Sequence, residues 1–556
     1  MTSNGFMSRR PATRTAPSSR LRRIALAAMT AASLALGGTA AAAAAVAAPA
    51  PAGSGPAPAA PALAAQGLAA EDLALPAAEA DDDGWFTSWA QSQQRVSTKN
   101  FDNQSLRMVT RLSQGGDAVR IRLQNQFGTG PVVIDQTNLA LSAGGPAIVP
   151  GTDRVLTFDG ARSVTIPVGG EVWSDPTTIG TAAQDELAVT FYLARPTVTS
   201  LHDRAGRNNY GAPLGSGNLN GSVSGASFTE NLPWTYFVSA VDVYNTDLAG
   251  TVVAYGSSVV DGVGSENCGP GCDAFGQDRR WTDELARRVV AELPASQQVA
   301  VVNEGISGTT SSPVCGGGGL DGVSRLERDV LALHGVTGVI FYYGTNDLAN
   351  GCTDETILAS YRQIFERLRA AGIEVYVTPI TPRPGYTALQ NQRRAVVNAF
   401  VREGGNCSGT CDAVFDFDAV LRDPANPSSI YPPYDTGDGV HANVAGQEAI
   451  AASIPVERLV PAGPAVTTDV RERCLAGTPY LAVRVTNDAD VALDVDVATA
   501  YGSRSFAGVA PGASAYQAFP ARAEPADDTT VTVTARASGG GGRETVEEVV
   551  HAAPDC

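Results

Sequence analysis

From Thr251 to Ile454 the chain repeats one rhythm: a short apolar run, a loop of small and polar residues, then a longer amphipathic stretch. The apolar runs are Val252–Tyr255, Val299–Val302, Val339–Tyr343, Val375–Pro379 and Val414–Phe417. The stretches between and after them, Trp281–Leu293, Val323–Leu333, Ile357–Ala371, Leu389–Val401 and Ala445–Ile454, carry apolar residues at helical spacing. Alternating strand and helix predicts an α/β fold whose mostly parallel sheet is covered on both faces. In such sheets ligands bind beyond the carboxyl ends of the strands. The loops that follow the first three runs therefore converge on one edge.

The flanking sequence has a different rhythm. Between about residues 84 and 247, short alternating runs such as Val119-Arg120-Ile121-Arg122-Leu123 are separated by Gly, Pro, Asn and Asp, and no amphipathic helix is evident. This predicts a β-sandwich over 84–247, followed by the α/β domain over 248–460. After Pro461-Ala462-Gly463-Pro464 the alternation returns, predicting a small β-sandwich over 464–556. At the start, Arg9, Arg10, Arg14, Arg20, Arg22 and Arg23 precede an apolar run of about Ile24 to Leu36 and then small residues. That is the pattern of a signal peptide, read here as 1–48, followed by an Ala/Pro-rich linker over 49–83. The run is too short for a typical membrane anchor, and no later stretch is long and apolar enough to span a bilayer. The expected product is a secreted, extracellular protein without an integral membrane segment.

Export gives the cysteines a meaning. There are 8, an even number, and an oxidising compartment permits disulfides. Cys268 lies close to Cys272 and Cys407 to Cys411, Cys474 and Cys556 bracket the C-terminal region, and Cys315 and Cys352 remain. Sequence alone does not fix the connectivity. The spacings lack a CxxC pair and a nearby His cluster, so no metal and no cofactor is expected. The formal net charge of -18, with Lys99 the only lysine, argues against nucleic acid as a partner. Oligomeric state is not legible.

Four segments carry chemistry: Gly256-Ser257-Ser258-Val259-Val260-Asp261-Gly262, Asn303-Glu304-Gly305-Ile306-Ser307-Gly308, Gly344-Thr345-Asn346-Asp347 and Asp438-Gly439-Val440-His441. Of the 4 histidines, His202 lies in the β-rich region, His334 precedes Gly335 at a helix end, and His551 is near the C-terminus. Only His441 sits in a loop of the α/β domain with a carboxylate, Asp438, three residues earlier. Asp438 can accept from one ring nitrogen and leave the other to take a proton from a serine. Ser257 and Ser258 both follow a strand and a glycine on a tight turn.

These segments resemble the four sequence blocks of the SGNH (GDSL) hydrolase family, in the secreted multidomain bacterial type that includes proteins similar to acetyl-xylan esterases. The resemblance spans roughly 210 residues. It implies a flavodoxin-like fold and selects Ser258 as nucleophile, with His441 and Asp438 completing a triad. It also implies an oxyanion hole made of the Ser258 and Gly308 amides and the Asn346 side chain. Ser257 stands where the family usually has Asp, and Ala442 where Pro often follows the His. The implied activity is hydrolysis of carboxylic esters through an acyl-enzyme. Deacetylation of a polysaccharide-linked ester is the first expectation, and a lipase or arylesterase on small or fatty esters the second. A carbohydrate-binding or adhesive protein without catalysis is the third. Trp281, Tyr342 and Tyr343 are candidates for stacking on sugars, but core packing is expected for at least two of them.

Overall fold

A computed structural model of the chain describes residues 84–489, 491–521, 528–538 and 544–552. The expected signal peptide and linker lie outside the described residues, as does Cys556.

Five parallel strands form the sheet that carries the four segments. In chain order they are Gly250–Gly256, Val299–Gly305, Val336–Tyr342, Glu374–Val377 and Ala413–Val414. Their spatial order is 2-1-3-4-5, the flavodoxin-like order, in which the chain reverses direction across the sheet after the second strand. The strands are apolar on both faces because helices cover both. Val253, Tyr255, Val339, Phe341, Val375 and Val377 point into a core shared with Asp354–Ala370 and Ala388–Arg402. Val252, Ala254, Ile340, Tyr342 and Tyr376 point into the other core, with Trp281–Glu292 and Val444–Ser453. This alternation is the period-2 geometry of a strand.

Local chemistry moves some boundaries from their sequence-based positions. The run Val414–Phe417 ends as a strand at Val414 because Asp416 caps a helix, Phe417–Leu421, by accepting from the Ala419 amide. The expected helix Val323–Leu333 is an α-turn, Gly322–Leu326, that passes into a π-turn, Glu327–Leu331.

The region before this sheet is antiparallel β throughout, including Trp85–Ala90, Ala118–Gln124 and Val238–Tyr244 in one sheet and Gln104–Arg111 and Glu186–Leu193 in another. It also finishes the parallel sheet. Val299–Gly305 is an edge strand, and its free backbone groups are met by this region. The Val301 amide donates to Ser113 Oγ (3.1 Å), and the Val299 carbonyl accepts from Gln114 Nε2 (3.2 Å). Satisfying an edge with side chains removes a template for aberrant pairing. The C-terminal strands make two further antiparallel sheets around a small core of Leu481, Val483, Val495, Val531 and Val533. Disulfides join Cys268 to Cys272, Cys315 to Cys352 and Cys407 to Cys411. Among the described residues no helix is long and apolar enough to cross a membrane.

Beneath the carboxyl ends of the parallel strands lies a buried polar cluster. Arg325, 1% exposed, donates from Nη2 to the carbonyls of Gly256 and Glu304 (2.8 Å each) and to the Tyr343 hydroxyl (2.7 Å). Its Nη1 reaches Asp329 (2.8 Å) and Ser92 Oγ (3.0 Å). The Asp329 carboxyl is held at about 2: burial raises it, but Arg328 and Arg325 outweigh burial. Glu304, fully buried, goes the other way. Burial and then the Asp329 charge push its carboxyl up to about 8. Its folded value thus exceeds its unfolded value. The native state keeps a proton that the unfolded chain loses above its ordinary range of about 4.3. Stability attributable to Glu304 therefore falls as pH rises from about 4.5 and levels off above about 8. Urea midpoints measured from pH 5 to 9 are expected to decline less steeply in Glu304→Gln than in the parent chain. Identical slopes would show that Glu304 is ionised in the native state.

Candidate active site

Ser258 opens a single helical turn, Ser258–Asp261, immediately beyond the first parallel strand. The Ser257 carbonyl accepts from the Val260 and Asp261 amides (3.0 and 2.9 Å), and the Ser258 carbonyl from the Gly262 amide (3.1 Å). The turn presents the Ser258 hydroxyl, in a residue 7% exposed, to a loop from the far end of the domain. There, Ser258 Oγ donates to His441 Nε2 at 2.8 Å, and His441 Nδ1 donates to Asp438 Oδ2 at 2.6 Å. The other Asp438 oxygen accepts from the Val440 and His441 amides at 2.8 and 2.9 Å. Burial alone would raise the Asp438 carboxyl. Those hydrogen bonds, from the His441 ring first and then the two amides, hold it at about 2. An Asp438 that is ionised at neutral pH fixes the imidazole tautomer and leaves Nε2 free to accept the serine proton.

The second and third segments converge on the same place. Gly305 ends the second strand against the Ser258 turn, where an added Cβ would lie 2.1 Å from the Asp261 amide nitrogen, so no side chain fits. Three residues on, Gly308 sits at φ +81°, left-handed backbone that favours glycine. Its carbonyl accepts from Gly318 (2.9 Å), part of a glycine-rich loop anchored by the Cys315–Cys352 disulfide. Asn346 lies in the turn Thr345–Ala349 after the third strand. Its Oδ1 accepts from Arg383 (3.2 Å), which turns Nδ2 toward the Thr309 carbonyl (2.9 Å) and sets which end of the amide donates. Buried Asp347 holds the second loop to the third by accepting from the Ser311 amide and hydroxyl and from the Ser312 amide. Ser258, His441 and Asp438 thus form one hydrogen-bonded chain, with Gly308 and Asn346 on the adjacent loops.

Some side chains fall elsewhere. Trp281, Tyr342 and Tyr343 are all within 2% of complete burial and serve the core, so none is placed to stack on a sugar. Trp281 is fixed there by its ring nitrogen, which donates to the Val259 carbonyl (3.0 Å). Ser257 is buried, and its Oγ has no hydrogen-bond partner among the described residues. Arg383 and Arg325 escaped the sequence reading because nothing in their local pattern points at the loops they hold. Among the described residues no group of His, Cys, Asp and Glu could hold a metal ion.

Residues 254–449 match the GDSL-like Lipase/Acylhydrolase family. This part of the chain is therefore a GDSL-type acylhydrolase domain, the kind that hydrolyses carboxylic esters. No curated protein matches the chain in sequence. Solved structures similar to it include a GDSL-like lipase from Bacteroides thetaiotaomicron VPI-5482, with 19% identity, 38% of this chain and 89% of that one covered, and a TM-score of 0.28. Another is a mutant of Axe2, an acetyl-xylooligosaccharide esterase from Geobacillus Stearmophilus, with 17% identity, 37% and 93% covered, and a TM-score of 0.29.

The hydrogen bonds around Asp438 make a direct prediction. The Asp438 carboxyl carbon resonance, followed by NMR in acid, is expected to titrate with a midpoint near 2. A midpoint at the ordinary aspartate value of about 3.9 would mean that these bonds do not favour the carboxylate.

Proposed function

We propose that Ser258 is the nucleophile, His441 the general base and acid, and Asp438 the group that orients His441. The observation that carries this is the unbroken Ser258–His441–Asp438 hydrogen-bond chain, 2.8 and 2.6 Å, at the carboxyl edge of a parallel sheet. His441 Nε2 takes the Ser258 proton as Oγ attacks the ester carbonyl carbon. The carbonyl electron pair moves onto oxygen, where the Ser258 and Gly308 amides and Asn346 Nδ2 donate to it. Collapse expels the alcohol, which leaves with the proton from His441. Water, deprotonated by the same nitrogen, then releases the acid from the acyl-enzyme.

The preferred substrate is an acetyl ester on a polysaccharide. Two features support this. The Asp438 side chain is 48% exposed, so the site edge is open to a bulky alcohol portion. The N-terminal leader pattern, together with three disulfides, fits action outside the cell on a polymer. A second reading, esterase action on aryl or fatty esters, is favoured by Val314, 76% exposed on the loop that runs to Gly318 beside Gly308.

Ser258→Ala is expected to lower kcat on an aryl acetate by about 10³-fold or more, and Asn346→Ala by about 10²- to 10³-fold through loss of one oxyanion donor. A fully active Ser258→Ala protein would overturn the assignment. A panel of acetylated xylan, acetylated pectin and aryl esters of graded chain length separates the two substrate readings. The highest kcat/KM is expected on acetyl esters, and preference for long acyl chains would replace the first reading with the second.

A further inference from the structure

His202 belongs to the N-terminal β region, at the end of the strand Thr197–His202, yet it is fully buried beneath the Ser258 turn. Its Nδ1 lies 2.7 Å from the Ser92 carbonyl and its Nε2 3.2 Å from Asp261 Oδ1. A carbonyl and a carboxylate only accept, so both ring nitrogens face acceptors. Asp261 closes the turn that starts at Ser258. Its other oxygen, Oδ2, accepts from the Ser307 amide (3.2 Å) and the Ser307 hydroxyl (2.5 Å). Ser307 immediately precedes Gly308. One buried carboxylate therefore spans the gap between the Ser258 turn and the Gly308 loop. Arg280 fixes the same residue from behind. Its Nε donates to the Asp261 carbonyl (2.8 Å), and its Nη2 donates to the carbonyls of Arg204 and Ala205, two and three residues after His202.

We propose that His202 is a positioning residue for ester hydrolysis: through Asp261 and Ser307 it sets the spacing of the Ser258 and Gly308 amides. The N-terminal β region is then a working part of the active site. This rests on the esterase reading above. The physical need is clear. Asp261 is 2% exposed, and a buried carboxylate must be paired and hydrogen-bonded. Burial raises its carboxyl, and the His202 charge and hydrogen bond are the first of the effects that bring it below its ordinary value. Without the ring, Asp261 either takes up a proton or swings toward water, and in both cases Ser307 loses the charged acceptor that holds it. Displacement of a reacting group by about 1 Å costs on the order of 10²-fold in rate. The two amides act on an oxyanion that forms only in the transition state, so the loss falls on kcat rather than on binding.

The test is steady-state hydrolysis of an aryl acetate by the full chain carrying His202→Ala, His202→Gln, Ser307→Ala, or His202→Ala with Ser307→Ala. Thermal unfolding is measured in parallel. The expected result for His202→Ala is a kcat about 10- to 100-fold lower with KM within about 3-fold of the parent. His202→Gln, which keeps a donor toward Asp261, recovers most of the rate. The double variant is expected to be no slower than the slower single, because both residues act through Asp261. A folded His202→Ala protein with parental kcat overturns the proposal, as do losses that multiply in the double variant. If His202→Ala does not fold, Ser307→Ala decides: parental kcat overturns the proposal, and a lowered kcat with unchanged unfolding temperature supports it. A parent chain that hydrolyses no ester would instead refute the esterase reading itself.

Discussion

The buried guanidinium of Arg325 is the constraint on which the rest of the site depends. Its Nη2 donates to the carbonyls of Gly256 and Glu304, at the ends of the strands that lead into the Ser258 turn and the Gly308 loop, and meets the Tyr343 hydroxyl just before Gly344. Three loops are thereby fixed to one planar group. A charge this deep is tolerable only because Asp329 pairs with it and neutral acceptors take its remaining hydrogens. Arginine suits the position because its rigid fork serves several acceptors at once, which a lysine ammonium would do less precisely.

The same cluster joins the N-terminal β region to the hydrolase sheet. Ser92 accepts from Arg325, donates to Glu304, and offers its carbonyl to the His202 ring. Ser113 and Gln114 complete the backbone bonding of the edge strand Val299–Gly305. The strand that bears the second of the four segments is therefore held from below and along its open side by residues more than 180 positions earlier in the chain. Reactive geometry and interdomain packing are one network of hydrogen bonds here.

Much of this was legible in the sequence because it is periodic or local. Apolar runs buried on both faces gave the parallel strands, and Gly256, Gly305, Gly308 and Gly344 punctuate their ends. Scarcity of histidine isolated His441, and Asp438 three residues away reaches the same ring within one loop. A tight turn at Ser258 was legible, but its helical form, Ser258–Asp261, was not, since four residues are too few for a periodic signal. Arg325, Arg383 and His202 were not legible for a different reason: their partners are distant in sequence, and a charged residue in an amphipathic stretch reads as a solvated face. Trp281, Tyr342 and Tyr343 are a different case, since core packing was expected for at least two and holds for all three. Aromatic composition near a site does not distinguish a stacking platform from a core, and burial assigns all three to the core.

The central claim is that Ser258 attacks an acyl carbon whose oxygen is received by the Ser258 and Gly308 amides and Asn346. A crystal structure of the protein after reaction with an alkyl fluorophosphonate tests it most directly, because the tetrahedral phosphorus places an oxygen where the oxyanion forms. The account predicts phosphorus bonded to Ser258 Oγ, with the phosphoryl oxygen about 2.7–3.1 Å from all three donors. Phosphorus on Ser257, or an oxygen turned away from Gly308 and Asn346, would contradict it.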